Sequence, residues 1–174
     1  MSEIALALFT GEIEPAGFDC GNEELNTWLQ RHALASHKAD LARTYIALDG
    51  ATVAGYVSLT SGSVRPEDAP KRLARGMPRY PIGSILIARL AVDVIYQGNR
   101  LGSRLLAEAL RRAVTASDAA AARLVVVDAI DDDAVAFYRR WGFIDTPDNP
   151  RRLYRKMSDI RSSLEHGTTG LESS

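Results

Sequence analysis

The most apolar stretch of the chain, Ile82 to Val92, runs into Gln97-Gly98-Asn99-Arg100-Leu101-Gly102. Leu105, Leu106, Ala109, Leu110, Ala113 and Val114 follow at helical spacing. This order predicts a buried strand that delivers a glycine-bearing turn to the start of a helix. Backbone N–H groups at a helix start have no intrahelical partner and carry the positive end of the helix dipole. A pyrophosphate meets that need, and glycines let an anion come close to the backbone. Spacing alone equally describes an ordinary strand-to-helix turn. It is not a Walker loop, because no Gly-Lys-Ser/Thr follows. It is not a dinucleotide fingerprint either, since the glycine spacing differs and no ribose-binding acid is in place.

The rest of the chain alternates strands and helices around this unit. Ile4 to Phe9 reads as a strand, and Gly11 through Gly21 as turns. Asn22 is placed to cap a helix over about 22–37, with Glu23 and Glu24 in its first turn and Leu25, Trp28 and Leu29 on one apolar face. Thr44–Leu48 and Val53–Leu59 form strands joined by Asp49-Gly50. Residues 61–81 read as a long connection with one short helix near 70–74, a length that hints at function. Arg123–Val127 is a buried strand, and Ala134–Trp141 is a helix begun at Asp131–Asp133 and stopped by Gly142. Phe143-Ile144 and Leu153–Met157 are two last strands. Beyond Ser158 the composition predicts a frayed tail.

Composition sets limits. The 174 residues suit one domain, and 46% apolar with 25% charged is ordinary for a globular chain. Acids and bases nearly cancel, 22 against 21, for a net charge of -1, which excludes a uniform coat of positive charge and leaves only local patches for a polyanion. The single cysteine, Cys20, excludes an internal disulfide and a cysteine-based zinc cluster. His32, His37 and His166 stand without flanking carboxylate motifs, so no metal site is expected. No apolar run approaches the roughly 20 residues of a membrane span, and the N-terminus lacks signal-peptide layout, so a soluble, cytoplasmic protein is expected.

Two motifs together resemble one family. Ala88-Arg89-Leu90-Ala91-Val92-Asp93 followed by Gln97–Gly102 is similar to the acetyl-CoA pyrophosphate motif (Q/R-x-x-G-x-G/A) of the GCN5-related N-acetyltransferases (GNAT). Downstream, Ala134–Phe143 resembles their A-x-x-F-Y-x-x-x-G-F signature. The resemblance covers roughly residues 5–157. It implies an α/β GNAT fold, a mixed central sheet of about 6–7 strands with about 4 flanking helices, in one domain over 1–157 with a flexible tail over 158–174. It implies acetyl-CoA as co-substrate, held by Leu90, Ala91, Val92, Gln97, Gly98, Asn99, Arg100, Leu101, Gly102 and Ser103, with Asp131 and Phe137. Main-chain N–H groups near Leu90–Val92 would polarise the thioester and hold the pantetheine arm. One residue departs: Arg100 stands where the motif has its middle glycine. Arginine does not readily adopt positive φ. Its side chain either crowds the phosphates or swings outward and pairs with one.

The resemblance implies Tyr138 as general acid, protonating the thiolate that leaves when an amine attacks the thioester. No glutamate lies between residues 82 and 92 to act as base, and Asp93 at the strand end reads as structural. An acceptor amine that is already largely neutral fits this absence. An α-amino group titrates at about 7.7–8.0 against about 10.4 for lysine, and an aminoacyl ester amine lies lower still.

A narrower resemblance begins at Phe18-Asp19-Cys20-Gly21-Asn22-Glu23-Glu24-Leu25-Asn26-Thr27-Trp28-Leu29. This is similar to a segment of the GNAT-type toxins of toxin–antitoxin modules, as are Arg43-Thr44-Tyr45, Gly55–Leu59 and Arg89–Asp93. It implies acetylation of the free amine of aminoacyl-tRNA, a block of translation, and a ribbon-helix-helix-type antitoxin as partner. Homodimerisation is common in that subgroup. Lys71, Arg72, Arg75 and Arg79, with Arg139, Arg140, Arg151 and Arg152, form the basic runs that an acceptor stem would require. Arg155 and Lys156 extend the second run, while acids gather in the N-terminal third and at Asp131–Asp133. Two other readings stay open: an acetyltransferase for small amines or protein N-termini, and a non-catalytic acetyltransferase-like module motivated by Arg100. The sequence leaves open which aminoacyl-tRNA is chosen, the oligomeric state and the antitoxin contacts.

Overall fold

The computed structural model describes residues 3–166. Its strands are β1 (Ala5–Leu8), β2 (Arg43–Asp49), β3 (Thr52–Val64), β4 (Ile82–Val92), β5 (Leu124–Asp128), β6 (Ile144–Thr146) and β7 (Asn149–Lys156). They pair in one 7-stranded sheet in the order β1-β2-β3-β4-β5-β7-β6. The helices are α1 (Glu23–Thr27), α2 (Ala33–Lys38), α3 (Lys71–Ala74), α4 (Leu101–Ala119), α5 (Asp132–Arg140) and α6 (Met157–His166). This is the mixed α/β class expected. The chain divides into two compact units, Met1–Thr60 with Ile87–Ala109 and Ser61–Leu86 with Leu110–Ser174.

In the first unit, β1 and β2 run antiparallel, Ala5 opposite Leu48 and Leu8 opposite Tyr45. The hairpin from β2 into β3 turns at Gly50, whose φ of 62° is the left-handed conformation that glycine adopts without penalty. The helix predicted over 22–37 is interrupted. α1 and α2 flank one π-helical turn, Trp28–His32, in which Ala33 N–H donates to Trp28 C=O. Asn22 caps α1, its side chain accepting from Leu25 N–H at 3.1 Å. Phe9, Phe18, Leu25, Leu29, Ala33, Ile46, Val53, Tyr56 and Ala91 make the core of this unit. Tyr56 is fully buried, and its hydroxyl donates to Leu25 C=O at 2.7 Å, so the polar end of the ring is satisfied. Gly55 allows a close backbone approach: a Cβ there would lie 2.9 Å from both the Ala91 carbonyl oxygen and Leu105 Cδ1.

In the second unit, β5 pairs antiparallel with β7, from Leu124 opposite Lys156 to Asp128 opposite Arg152. Val64, Ala69, Leu73, Ile82, Leu124, Val126 and Tyr154 form its core. The short helix expected near 70–74 is α3. Pro66 opens a 3₁₀ turn over Pro66–Asp68, as its fixed φ allows. β3 runs on to Val64, so the connection after it is shorter than the sequence predicts. The last two strands also reach further, closing a hairpin between Thr146 and Asn149. Residues 158–166 of the expected tail are helical: Met157 and Ile160 are buried on one face of α6, and Arg161 pairs with Asp118 at 2.7 Å. The rest of that tail, 167–174, lies outside the described residues.

Candidate active site

The strand-to-helix turn read from the sequence stands in the first unit. β4 ends at Val92, Val94–Tyr96 makes one 3₁₀ turn, and 97–100 is exposed loop before α4. Arg100 C=O accepts from Arg104 N–H at 3.2 Å, so Arg100 is the last residue outside the helix. The amides of Leu101, Gly102 and Ser103 therefore open the first turn, where no intrahelical acceptor exists. Gly98 has φ 86° and Arg100 φ 61°. Arg100 thus takes the left-handed backbone that a glycine would supply there, although arginine does not readily adopt it. The strain this carries is about 1–2 kcal/mol. The loop 97–100 is exposed, leads into a helix start, and has no Cβ at Gly98.

Gln97 does something the motif alone does not reveal. Its Nε2 donates to Val92 C=O at 2.9 Å and to Cys20 C=O at 3.2 Å, which spends the amide on holding the loop. Asn99 Nδ2 likewise turns back to Tyr96 C=O at 3.4 Å. Asp93, 5% exposed, accepts from Asp19 N–H at Oδ2 and from Ile95 N–H at Oδ1, both at 3.0 Å. Asn26, also buried, accepts from Cys20 N–H at 2.8 Å and donates to Asp19 Oδ1 at 3.0 Å. Asp93 is structural, as the sequence implied. The Asp19–Asn26 segment is a polar latch that fixes the end of β4 and the loop beyond it. Its hydrogen bonds from Gly21 N–H and Asn26 hold the Asp19 carboxyl below the usual carboxylate range.

Tyr138 stands in the second unit on α5. Asp131 caps that helix, accepting from Ala134 N–H at 2.8 Å, so its carboxylate has a structural task beside the cofactor role expected of it. At the other end Gly142 N–H donates to Arg139 C=O and Phe143 N–H to Tyr138 C=O, with Gly142 at φ 85°. This pair of bonds is a Schellman cap, which requires a left-handed residue at Gly142 and favours an apolar contact across the turn. The Tyr138 and Phe143 rings supply that contact, edge on at 5.8 Å, and half-buried Phe137 meets Tyr138 at 5.2 Å. The F-Y-x-x-x-G-F spacing is thus the geometry of a helix stop that locks one phenol. Tyr138 is 5% exposed, and burial pushes its pKa well above the ordinary tyrosine value, so the phenol stays protonated.

The eight cations assigned to RNA all lie in the second unit and divide in two. Arg152 makes a bidentate pair with Asp128 at 2.7 and 2.8 Å, Arg139 pairs with Asp145 at 2.9 Å, and Arg151 with Asp132 at 3.1 Å. Lys71, Arg72, Arg75, Arg79 and Arg140 are exposed and have no carboxylate partner among the described residues. Lys71 and Arg72 line a cavity of about 730 Å³ with Asp68, Asp145, Arg152 and Tyr154. One cation escaped sequence reasoning: Arg89, half-buried on β4, lies 4.2 Å over the Trp28 ring. An arginine inside the most apolar strand was its available signal.

The glycine-bearing loop opens α4 in the first unit, and the capped, neutral phenol stands on α5 in the second. Residues 7–143 match the model of the acetyltransferase (GNAT) family, and the chain belongs to that family. Among curated proteins it is similar to a tRNA-acetylating toxin of Mycobacterium tuberculosis (strain ATCC 25618 / H37Rv), 40% identical over 147 residues, which cover 84% of this chain and 88% of the relative. Among solved structures it is similar to AtaT complexed with acetyl-methionyl-tRNAfMet, with TM-score 0.84, 27% identity and coverage of 93% of this chain and 99% of that one. It also resembles a tyrosine-to-phenylalanine mutant of AtaT bound to the C-terminus of the antitoxin AtaR and acetyl-CoA, with TM-score 0.79, 26% identity and coverage of 94% and 99%.

Proposed function

We propose that this acetyltransferase moves the acetyl group of acetyl-CoA to the free amine of an aminoacyl-tRNA and so arrests translation as the toxin of a toxin–antitoxin pair. The likeness that carries this reading is the 40% identity with a tRNA-acetylating toxin over most of both chains. The amides of Gly98 to Ser103 and the helix start hold the pyrophosphate, with Leu90–Val92 along the pantetheine arm. Gln97 acts by positioning that loop. The acceptor amine attacks the thioester carbonyl, a C–N bond forms, the C–S bond breaks, and Tyr138 gives its phenolic proton to the departing sulfur. The amine's own proton passes to solvent. Lys71, Arg72, Arg75, Arg79 and Arg140 supply phosphate contacts. Arg139, Arg151 and Arg152 contribute less, because each already faces a carboxylate. A ribbon-helix-helix-type antitoxin, a homodimer and a cytoplasmic setting complete the proposal. No helix among the described residues is long and apolar enough to cross a membrane.

Retention of the left-handed loop at Arg100 argues against a module that has lost its co-substrate. Expression in a bacterial host, with recovery of the charged tRNA pool, tests the reading. Growth arrest with N-acetylated aminoacyl-tRNA supports it, and both effects disappear in Tyr138→Phe. Harmless expression with an unmodified pool, and acetyl transfer to small amines instead, would replace it with the metabolic reading.

A further inference from the structure

We infer that Arg89, carried on the Trp28 ring beside the π-helical turn, is a phosphate-binding residue for the 3′ end of the RNA acceptor, an assignment that rests on the aminoacyl-tRNA reading. Three independent observations meet here. Arg89, Trp28, Thr27, His32, Glu23 and Glu24 line one cavity of about 360 Å³ within the first unit. The guanidinium carbon is 4.2 Å from the Trp28 ring centroid, and Trp28 in turn stacks on buried Tyr56 at 5.9 Å with 16° between the planes. Trp28 and His32 are the first and last residues of the π turn, an element that arises seldom and collects at functional sites.

The donors of Arg89 are what a ligand would use. A contact with the π-face of an indole fixes a guanidinium but gives its N–H groups no oxygen acceptor. Among the described residues no carboxylate, carbonyl or hydroxyl accepts from Arg89. A half-buried arginine with unspent donors in a fixed fork fits an oxyanion, and a phosphate takes such a fork bidentately. Arg89 also directly precedes Leu90-Ala91-Val92, the strand residues expected along the pantetheine arm, so the phosphate it holds is one near the reacting ester. Glu23 and Glu24 share the cavity and are exposed. Their charge disfavours a free inorganic anion there, so the phosphate must arrive as part of a larger ligand.

Binding of aminoacyl-tRNA is measured across a salt series for the wild type, Arg89→Gln and Glu24→Gln, with acetyl-CoA titrated by calorimetry in parallel. Removing the cation from one phosphate lowers the log–log salt slope by about 0.7–0.9. The expected result is a slope reduced by that amount in Arg89→Gln with affinity about tenfold lower, a modest gain in Glu24→Gln, and acetyl-CoA affinity within twofold of wild type. Arg89→Lys, which keeps the charge and loses the planar fork, should restore the slope but only part of the affinity. An unchanged slope in Arg89→Gln, with wild-type RNA still bound and acetylated, overturns the assignment alone. A fall in acetyl-CoA affinity also overturns it, giving Arg89 to the co-substrate. A wild-type chain that neither binds nor acetylates the RNA overturns the functional reading and this assignment with it.

Discussion

At the scale of single residues, the proposed chemistry rests on the phenol of Tyr138 and the backbone of Arg100. Burial holds the Tyr138 pKa above its usual value near 10. The protonated form that can supply a general acid therefore persists through the alkaline range. The acceptor amine has the opposite requirement, being reactive only when neutral. The turnover rate should rise with pH through the amine's titration, below about 8 for an α-amino ester. It should then hold level past pH 10, where an exposed tyrosine would already be failing. Tyr138→Phe should lower kcat by roughly 10²–10⁴-fold while leaving thermal stability within about 1 kcal/mol. A pH–rate profile that falls through pH 9–10 in the wild type would take the general-acid role from Tyr138. At Arg100 the question is backbone, not side chain. Arg100→Gly keeps the left-handed conformation and should change acetyl-CoA affinity by no more than about threefold. Arg100→Val puts a β-branched side chain in that conformation, a genuine outlier beyond the strain arginine already carries, and should weaken acetyl-CoA binding by more than Arg100→Gly changes it. Calorimetric titration of both variants checks the pair, and equal affinities would mean that the turn does not depend on φ at this residue.

Elements show how those residues are held, and also where the sequence could be read. The Schellman cap on α5 ties Tyr138 C=O to Phe143 N–H and their rings to each other. Gly142→Ala puts a Cβ at φ 85° and 3.1 Å from Arg155 Nε, so it should cost about 1–2 kcal/mol. For a chain of this length that is a fall of roughly 2–8 °C in Tm, measurable by calorimetry. The activity of the folded fraction should fall too, because the cap orients the phenol. β2, β3, β4, α4 and β5 were legible because apolar runs at period two or 3.6 lie between Gly, Pro and Asn signals. The π turn was not, since Leu25, Trp28 and Leu29 fit an unbroken helix face equally well and only a packing demand inserts the extra residue. The α6 helix was masked by a Ser-rich composition, although Met157, Ile160 and half-buried Leu164 stand three and four residues apart. The site's parts were visible as motifs, but their mechanics were not. That Gln97 and Asp93 are latches depends on hydrogen bonds with Asp19 and Cys20, more than seventy residues away. Arg152 loses its freedom because β5–β7 register sets it opposite Asp128. Sequence spacing carries no such information.

For the molecule as a whole, a net charge of -1 conceals how charge is spent. A carboxylate at 2.7–3.1 Å cancels most of the field that Arg152, Arg139 and Arg151 could offer a polyanion. Lys71, Arg72, Arg75, Arg79 and Arg140 keep theirs, although they are no more numerous in the composition than many surface runs. Association with RNA releases counterions only from phosphates that a free cation neutralises, so affinity should follow pairing state and not residue count. Substituting the five unpaired cations by glutamine should therefore flatten the salt dependence of tRNA binding, by about 0.7–0.9 in slope for every phosphate left without its cation. Glutamine at Arg139, Arg151 and Arg152 removes three charges but also strands Asp145, Asp132 and Asp128. The slope there should flatten by less per residue than in the unpaired set, through screened repulsion from the freed carboxylates alone. If both sets flatten the slope equally per residue, the ion pairs open on binding. The surface pairs are weak enough, at about 0–1 kcal/mol each, for that outcome to be detectable.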